Sequence, residues 1–167
     1  GFGADLILPN MVHGRVLRSP HAHARIKSID LSPALEMDGV VAAISGADFP
    51  DIEGGEVGGE GGGTLGDVAK NIMARDKVLY HGHAVAAVAA TSPALANAAL
   101  DAIKVEYEVL PPVLDVLAAM EDGAVLVNEG NVTAGTDKPS NVAAVANLNR
   151  GDLDEGFAAA DLVIERE

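Results

Sequence analysis

The chain has 167 residues, and its 11 basic against 25 acidic side chains leave a formal net charge of −14. That length suits one domain, and such acidity repels phosphate backbones and anionic headgroups, which argues against nucleic acid or membrane surfaces as partners. Apolar residues reach 49%, enough for a core, but with 3% aromatics and no Trp that core must be built from Ala, Val, Leu and Ile. The absence of Cys excludes disulfides, thiolate zinc sites and protein-ligated iron–sulfur clusters within this chain, and fits a cytoplasmic setting. The longest apolar run, Ala84 to Ala90, is far shorter than the roughly 20 residues a membrane span needs. The opening Gly1-Phe2-Gly3-Ala4-Asp5 carries neither an initiator Met nor a basic leader, so a piece of a longer chain is expected.

In chain order, residues 12–31 predict two short strands. Val12, Gly14 and Val16 alternate with His13, Arg15 and Leu17, Ser19-Pro20 breaks the run, and Ala24 to Ile29 is extended again, which predicts a hairpin. Ser32-Pro33 predicts a capped helix running through Met37 and ended by Gly39. Val40 to Ser45 reads as a buried strand and Gly46 to Pro50 as a turn. Residues 51–67 interleave glycines with Glu53, Glu56 and Glu60, too little apolar area to offset the entropy of ordering, and predict a mobile surface loop. Its glycines have nucleotide-loop-like spacings, yet its acids would repel a pyrophosphate and no clear strand and helix flank it.

Beyond the loop, Val78 to Tyr80 and Ala84 to Ala90 predict strands separated by His81-Gly82-His83. Ser92-Pro93 repeats the capped helix start, with Leu95, Ala99, Ala102 and Ile103 on one face. From Ile103 to Val109 apolar and charged residues alternate, describing a strand wet on one face, and Pro111-Pro112 stops it. Asp115 can cap a short helix through Met120, Ala124 to Val127 can form a strand, residues 128–140 read as loop, and Asn141 to Leu148 is extended. Asp152 and Glu155 form a capping-box-like pair for a last helix with Leu153, Phe157 and Ala160 on one face, before Leu162-Val163-Ile164 starts a strand. The order ββαβ, loop, ββαβ, βα predicts a mixed α+β or α/β body. Ser-Pro-Ala-Leu occurs at both 32–35 and 92–95, without a wider repeat.

Three features could carry chemistry. His21 and His23, like His81 and His83, are two apart and in extended chain would project to one face as paired metal ligands; without a third ligand they read more simply as turn histidines. No Ser-His-Asp arrangement can be assembled. Residues 13–27 hold Arg15, Arg18, Arg25, Lys27 and three histidines with no acid, which makes Arg15, Arg18, His21, His23 and Arg25 candidates for docking an acidic neighbouring domain, against the plainer reading of a solvated hairpin face. Lys77 follows Asp76 as the modified lysine of a lipoyl or biotin-like carrier would, though it opens a strand instead of sitting at a hairpin tip.

Four segments together resemble one family. Met11 to Ile26 (MVHGRVLRSPHAHARI) is similar to the opening of the large, molybdenum-binding subunit of the xanthine dehydrogenase, aldehyde oxidase and carbon monoxide dehydrogenase family, followed by Ser28-Ile29-Asp30 and Asp38-Gly39-Val40. Asp76 to Ala86 resembles its second signature, with His83-Ala84 where many members carry Gln-Pro; Val105 to Val113 resembles the third, and Gly151 to Glu165 the fourth. The resemblance implies an α/β-hammerhead domain over residues 1–167, an α+β (mixed α/β) fold with ββαβ units and short mixed sheets, with 162–167 leading into a next domain. It also implies a parent enzyme that hydroxylates a heteroaromatic, an aldehyde or carbon monoxide with oxygen from water. Molybdopterin would be held beyond this chain, with iron–sulfur clusters and FAD in partner domains or subunits. No catalytic, cofactor-binding or metal-binding residue is carried over, so this chain alone is expected to be inactive.

Overall fold

Ala84-Val85-Ala86-Ala87-Val88-Ala89-Ala90 is apolar on both faces, so it can satisfy its backbone without exposing that surface only by taking a neighbour on each edge. A computed structural model, describing residues 6–52, 65–133, 138–143, 145–148 and 150–166, places this segment in the middle of a sheet. The strands are β1 His13–Arg18, β2 Ala24–Asp30, β3 Val40–Ser45, β4 Lys77–Val78, β5 Ala84–Ala90 and β6 Lys104–Val109. The helices are α1 Ser32–Leu35, α2 Leu65–Ile72, α3 Pro93–Ala102, α4 Val116–Met120 and α5 Leu153–Ala158, with a 3-10 turn at Gly46–Asp48. The α+β class expected from the element order is what forms.

Two three-stranded sheets result, ordered β1-β5-β3 and β4-β2-β6, and every ladder in them is antiparallel where mixed sheets were expected. β1, β2, α1 and β3 make one ββαβ unit; β4, β5, α3 and β6 make the other. The second strand of each unit is inserted between the first and last strands of its counterpart. All four strand pairings therefore join one unit to the other.

This arrangement replaces the predicted β1–β2 hairpin. The connection between these strands is tied instead to the β4–β5 turn, with Ser19 N donating to His83 O at 2.9 Å and Gly82 N to Ser19 O at 3.0 Å. The core is as small-residued as the composition requires: Ala34, Ala86, Val88, Ala90, Ala96, Ala99 and Ile103 pack between the first sheet and helices α1 and α3. Ala24, Ala74, Val78 and Val85 form a second cluster against the other sheet.

Several local expectations change. Ser32 does not cap α1: the N-cap is Leu31, and the Ser32 N–H goes to Asp30 Oδ1 at 3.0 Å. The helix closes at Leu35, and Gly39 turns the chain at φ +90°, where a Cβ would meet Leu95 Cδ2 and Thr91 Oγ1, each at 2.8 Å. The predicted loop overlaps a helix, since α2 opens at Leu65; its remaining part, 53–64, lies outside the described residues. The strand predicted over Val78–Tyr80 shrinks to Lys77–Val78. Among the described residues, Ala124–Val127, Asn141–Leu148 and Leu162–Ile164 form no ladder. In the first two the amide of Asn141 takes the place of a partner strand, accepting from Val127 N at 3.0 Å and donating to Val125 O at 3.0 Å and Ala119 O at 3.1 Å. The caps at Asp115 and Asp152 form as read, accepting from Ala118 N at 2.8 Å and Glu155 N at 3.0 Å.

Candidate functional site

Because β1 and β2 enter different sheets, the basic stretch 13–27 is divided. Arg15 donates to Asn97 Oδ1 on α3 at 3.0 Å, and Arg18 to Gly82 O at 2.9 Å, both exposed on the first sheet. His21 packs edge-on against the Tyr107 ring at 5.0 Å. His23 is buried, and its Nδ1–H donates to Pro111 O at 2.7 Å, so it is not a surface group. Arg25 and Lys27, exposed on β2, face elsewhere, into a cleft.

The histidine pairs do not act as pairs. His81 is exposed in a turn closed by Gly82 at φ +84°, where the two-residue period of extended chain no longer applies, and His83 is fully buried. Leu79 N–H donates to His83 Nδ1 at 3.3 Å, which leaves the ring proton on Nε2; the ring stacks on Tyr80 with centroids 4.4 Å apart. Burial pushes this imidazole below its ordinary value, with the carbonyls of Lys70 and Asn71 opposing the shift. Among the described residues no three His, Asp or Glu side chains converge as metal ligands. Lys77 is no carrier lysine: its ammonium donates to Glu129 Oε1 at 2.8 Å and its side chain is only 11% exposed.

The cleft, with a volume of about 900 Å³, lies between β2, β4, the 3-10 turn, α2 and residues 128–130. Arg25, Lys27, Lys70, Arg75 and Lys77 line it, against Asp51, Asp76 and Glu129. Arg75 is committed to Asp51 and to the carbonyls of Phe49 and Pro50, which fastens the chain after the 3-10 turn to the start of β4. The approach is close enough that a Cβ on Gly46 would stand 2.5 Å from Ala74 O. Glu129 pairs with Lys77 and lies 3.8 Å from Arg25, and the Lys77 ammonium holds its carboxyl below the ordinary range. Sequence reasoning found Arg25 and Lys27 but missed Lys70 and Arg75. The apolar spacing Leu65, Val68, Ala69, Ile72 is the signal that could have placed Lys70 on a helix.

The fold thus defines an α+β domain of two interleaved units, with a charged cleft beside one sheet. Residues 2–111 match the family described as "Aldehyde oxidase and xanthine dehydrogenase, a/b hammerhead domain", and the chain belongs to it. It is 35% identical over 166 residues to the nicotinate dehydrogenase large molybdopterin subunit of Eubacterium barkeri, covering 98% of this chain and 35% of that protein. It is 38% identical over 125 residues to the carbon monoxide dehydrogenase large chain of Afipia carboxidovorans, covering 75% of this chain and 15% of that one. Among solved structures, quinoline 2-oxidoreductase from Pseudomonas putida 86 superposes with a TM-score of 0.60 at 39% identity, over 71% of this chain and 15% of that one. The chain therefore spans about a third or less of the length of these relatives. No described helix is long and apolar enough to cross a membrane.

Proposed function

We propose that this chain is a supporting, interdomain domain of a molybdenum hydroxylase large subunit, and that residues 1–167 work as one unit against other parts of the enzyme. The parent reaction is the oxidative hydroxylation of a heteroaromatic, an aldehyde or carbon monoxide, with oxygen from water. The molybdopterin would be bound outside this chain, and iron–sulfur clusters and FAD would belong to partner domains or subunits. The residues present do not fit a metal centre, since the chain has no Cys and its described histidines are buried singly or dispersed. A cytoplasmic setting belongs to the same reading.

One observation carries it. Leu114, Val116, Leu117 and Met120 on and before α4 are 60–82% exposed, and Leu153, Phe157, Leu162, Val163 and Ile164 around α5 are 55–76% exposed. Apolar residues massed in this way on a surface mark polypeptide contacts. Arg15, Arg18, Arg25 and Lys27 are the exposed charged members of the basic stretch; Arg25 lies near Glu129, while Arg15, Arg18 and Lys27 join no salt bridge among the described residues and are available to an acidic neighbour. Hydrogen exchange of the full-length protein checks the reading against residues 1–167 expressed alone. Peptides spanning 114–120 and 153–164 are expected to be protected only in the full-length protein, and the isolated chain to turn over no substrate and retain no pterin. Equal exchange in both proteins, or pterin tightly held by the isolated chain, overturns it.

A further inference from the structure

The cleft beside β2 stands out in a chain of net charge −14, because among the described residues cations outnumber anions along its walls. Three of those cations are spoken for: Arg75 by Asp51, and Lys77 and Arg25 by Glu129. Lys27 and Lys70 are exposed, and among the described residues neither joins a salt bridge. Both line the cleft, one from β2 and the other from the last turn of α2. Lys27 is also the residue at which the β2–β6 ladder slips, Ile26 pairing with Tyr107 and Ser28 with Glu106. A bulge re-aims the side chain at the extra residue, and here that residue is a lysine lining the cleft.

We propose that this cleft is a docking groove for an acidic polypeptide segment, whose Asp or Glu side chains neutralise Lys27 and Lys70. The walls favour a peptide over a compact phosphate group. The two free positive charges come from different elements, Asp51, Asp76 and Glu129 share the lining with them, and Ile29, Ile52 and Leu79 supply apolar surface that a peptide's side chains can cover. The inference deepens the interdomain reading by fixing the chemistry of one contact, so it rests on that reading.

Zero-length carbodiimide cross-linking of the full-length protein with its subunits, read by peptide mass spectrometry, tests it. Lys27 and Lys70 are expected to form amide links to Asp or Glu outside residues 1–167. The links should fall at least tenfold at molar salt, where screening acts within a few ångströms. Lys104, exposed on β6 outside the cleft, serves as the reactivity control. The double variant Lys27→Gln, Lys70→Gln removes two surface charges without touching the core, and it should lose the links while keeping the fold by circular dichroism. Links confined to residues 1–167, acetylation of Lys27 and Lys70 as fast as that of Lys104, or protection of both by inorganic phosphate alone overturns the proposal. Protected apolar helices with freely reactive cleft lysines would sink the cleft alone; unprotected helices with cleft links outside residues 1–167 would remove the apolar faces from the broader reading and leave this contact as its support.

Discussion

At the scale of single residues, His83 ties stability to pH. It is fully buried, Leu79 N–H needs its Nδ1 unprotonated, and the carbonyls of Lys70 and Asn71 offset only part of the cost of burying a second proton. Its folded pKa is lowered from 6.5 by burial, so around and below that value the unfolded chain binds the proton that the folded chain refuses. The stability it contributes is complete above about pH 6.5 and is lost as pH falls toward the lowered folded value. Thermal melts between pH 7.5 and 5 should show the midpoint dropping through this window. His83→Gln, which keeps an amide acceptor and donor but does not titrate, should flatten that part of the profile; an unchanged slope refutes the assignment. Little of this was legible beforehand. The caps at Asp115 and Asp152 could be read because donor and acceptor lie three residues apart. His83 and Lys77 could not, because their settings depend on groups brought in from Lys70 and Glu129, far along the chain.

The two copies of Ser-Pro-Ala-Leu show how an element depends on the residue before it. At α3 the Ser92 hydroxyl caps the helix, accepting from Leu95 N at 3.2 Å. At α1 the same tetrapeptide begins two residues after Asp30, whose carboxylate accepts the Ser32 N–H and, held below its ordinary value first by that bond, binds the Ser32 side chain as well. The Leu35 N–H that a capping Ser32 would accept goes instead to the Leu31 carbonyl at 3.1 Å, so the cap position is Leu31 and the serine is left without that role. Ser92→Ala should therefore cost about 1 kcal/mol of stability, the usual loss for a capping serine, and Ser32→Ala about half of that or less. Urea melts of both variants decide it, and equal losses would mean that the two helix starts are energetically alike. Strand existence was legible where alternation or a continuous apolar run was strong, as in β5 and β6. Strand partnership was not, because pairing is chosen by burial of both faces of β5 and not by which strands adjoin in sequence.

At the scale of the whole molecule, the interleaved sheets make neither unit self-sufficient. A ββαβ unit taken alone retains its helix but none of its native strand pairing, since every ladder among the described residues runs between units. Its buried alanines then face water and its strands expose bare edges. The two equivalent helix starts occupy corresponding places in the two units, which explains why a four-residue match recurs without a wider repeat: each unit must fit the other's strands and cannot share their sequence. Folding must therefore bring together residues from both halves before either sheet exists, an order of events that topology with distant pairings imposes. Severing the chain between Gly61 and Gly62 tests this directly. Each piece alone should lack strand signal in circular dichroism and bind hydrophobic dye, whereas mixing them should restore the spectrum and suppress dye binding, because each of the six strands stays whole on one side of the cut and can find its partners again. A first piece that holds stable strand structure by itself would mean that β1 and β2 can pair as a hairpin after all, and that the exchange of strands between units is not what stabilises the domain.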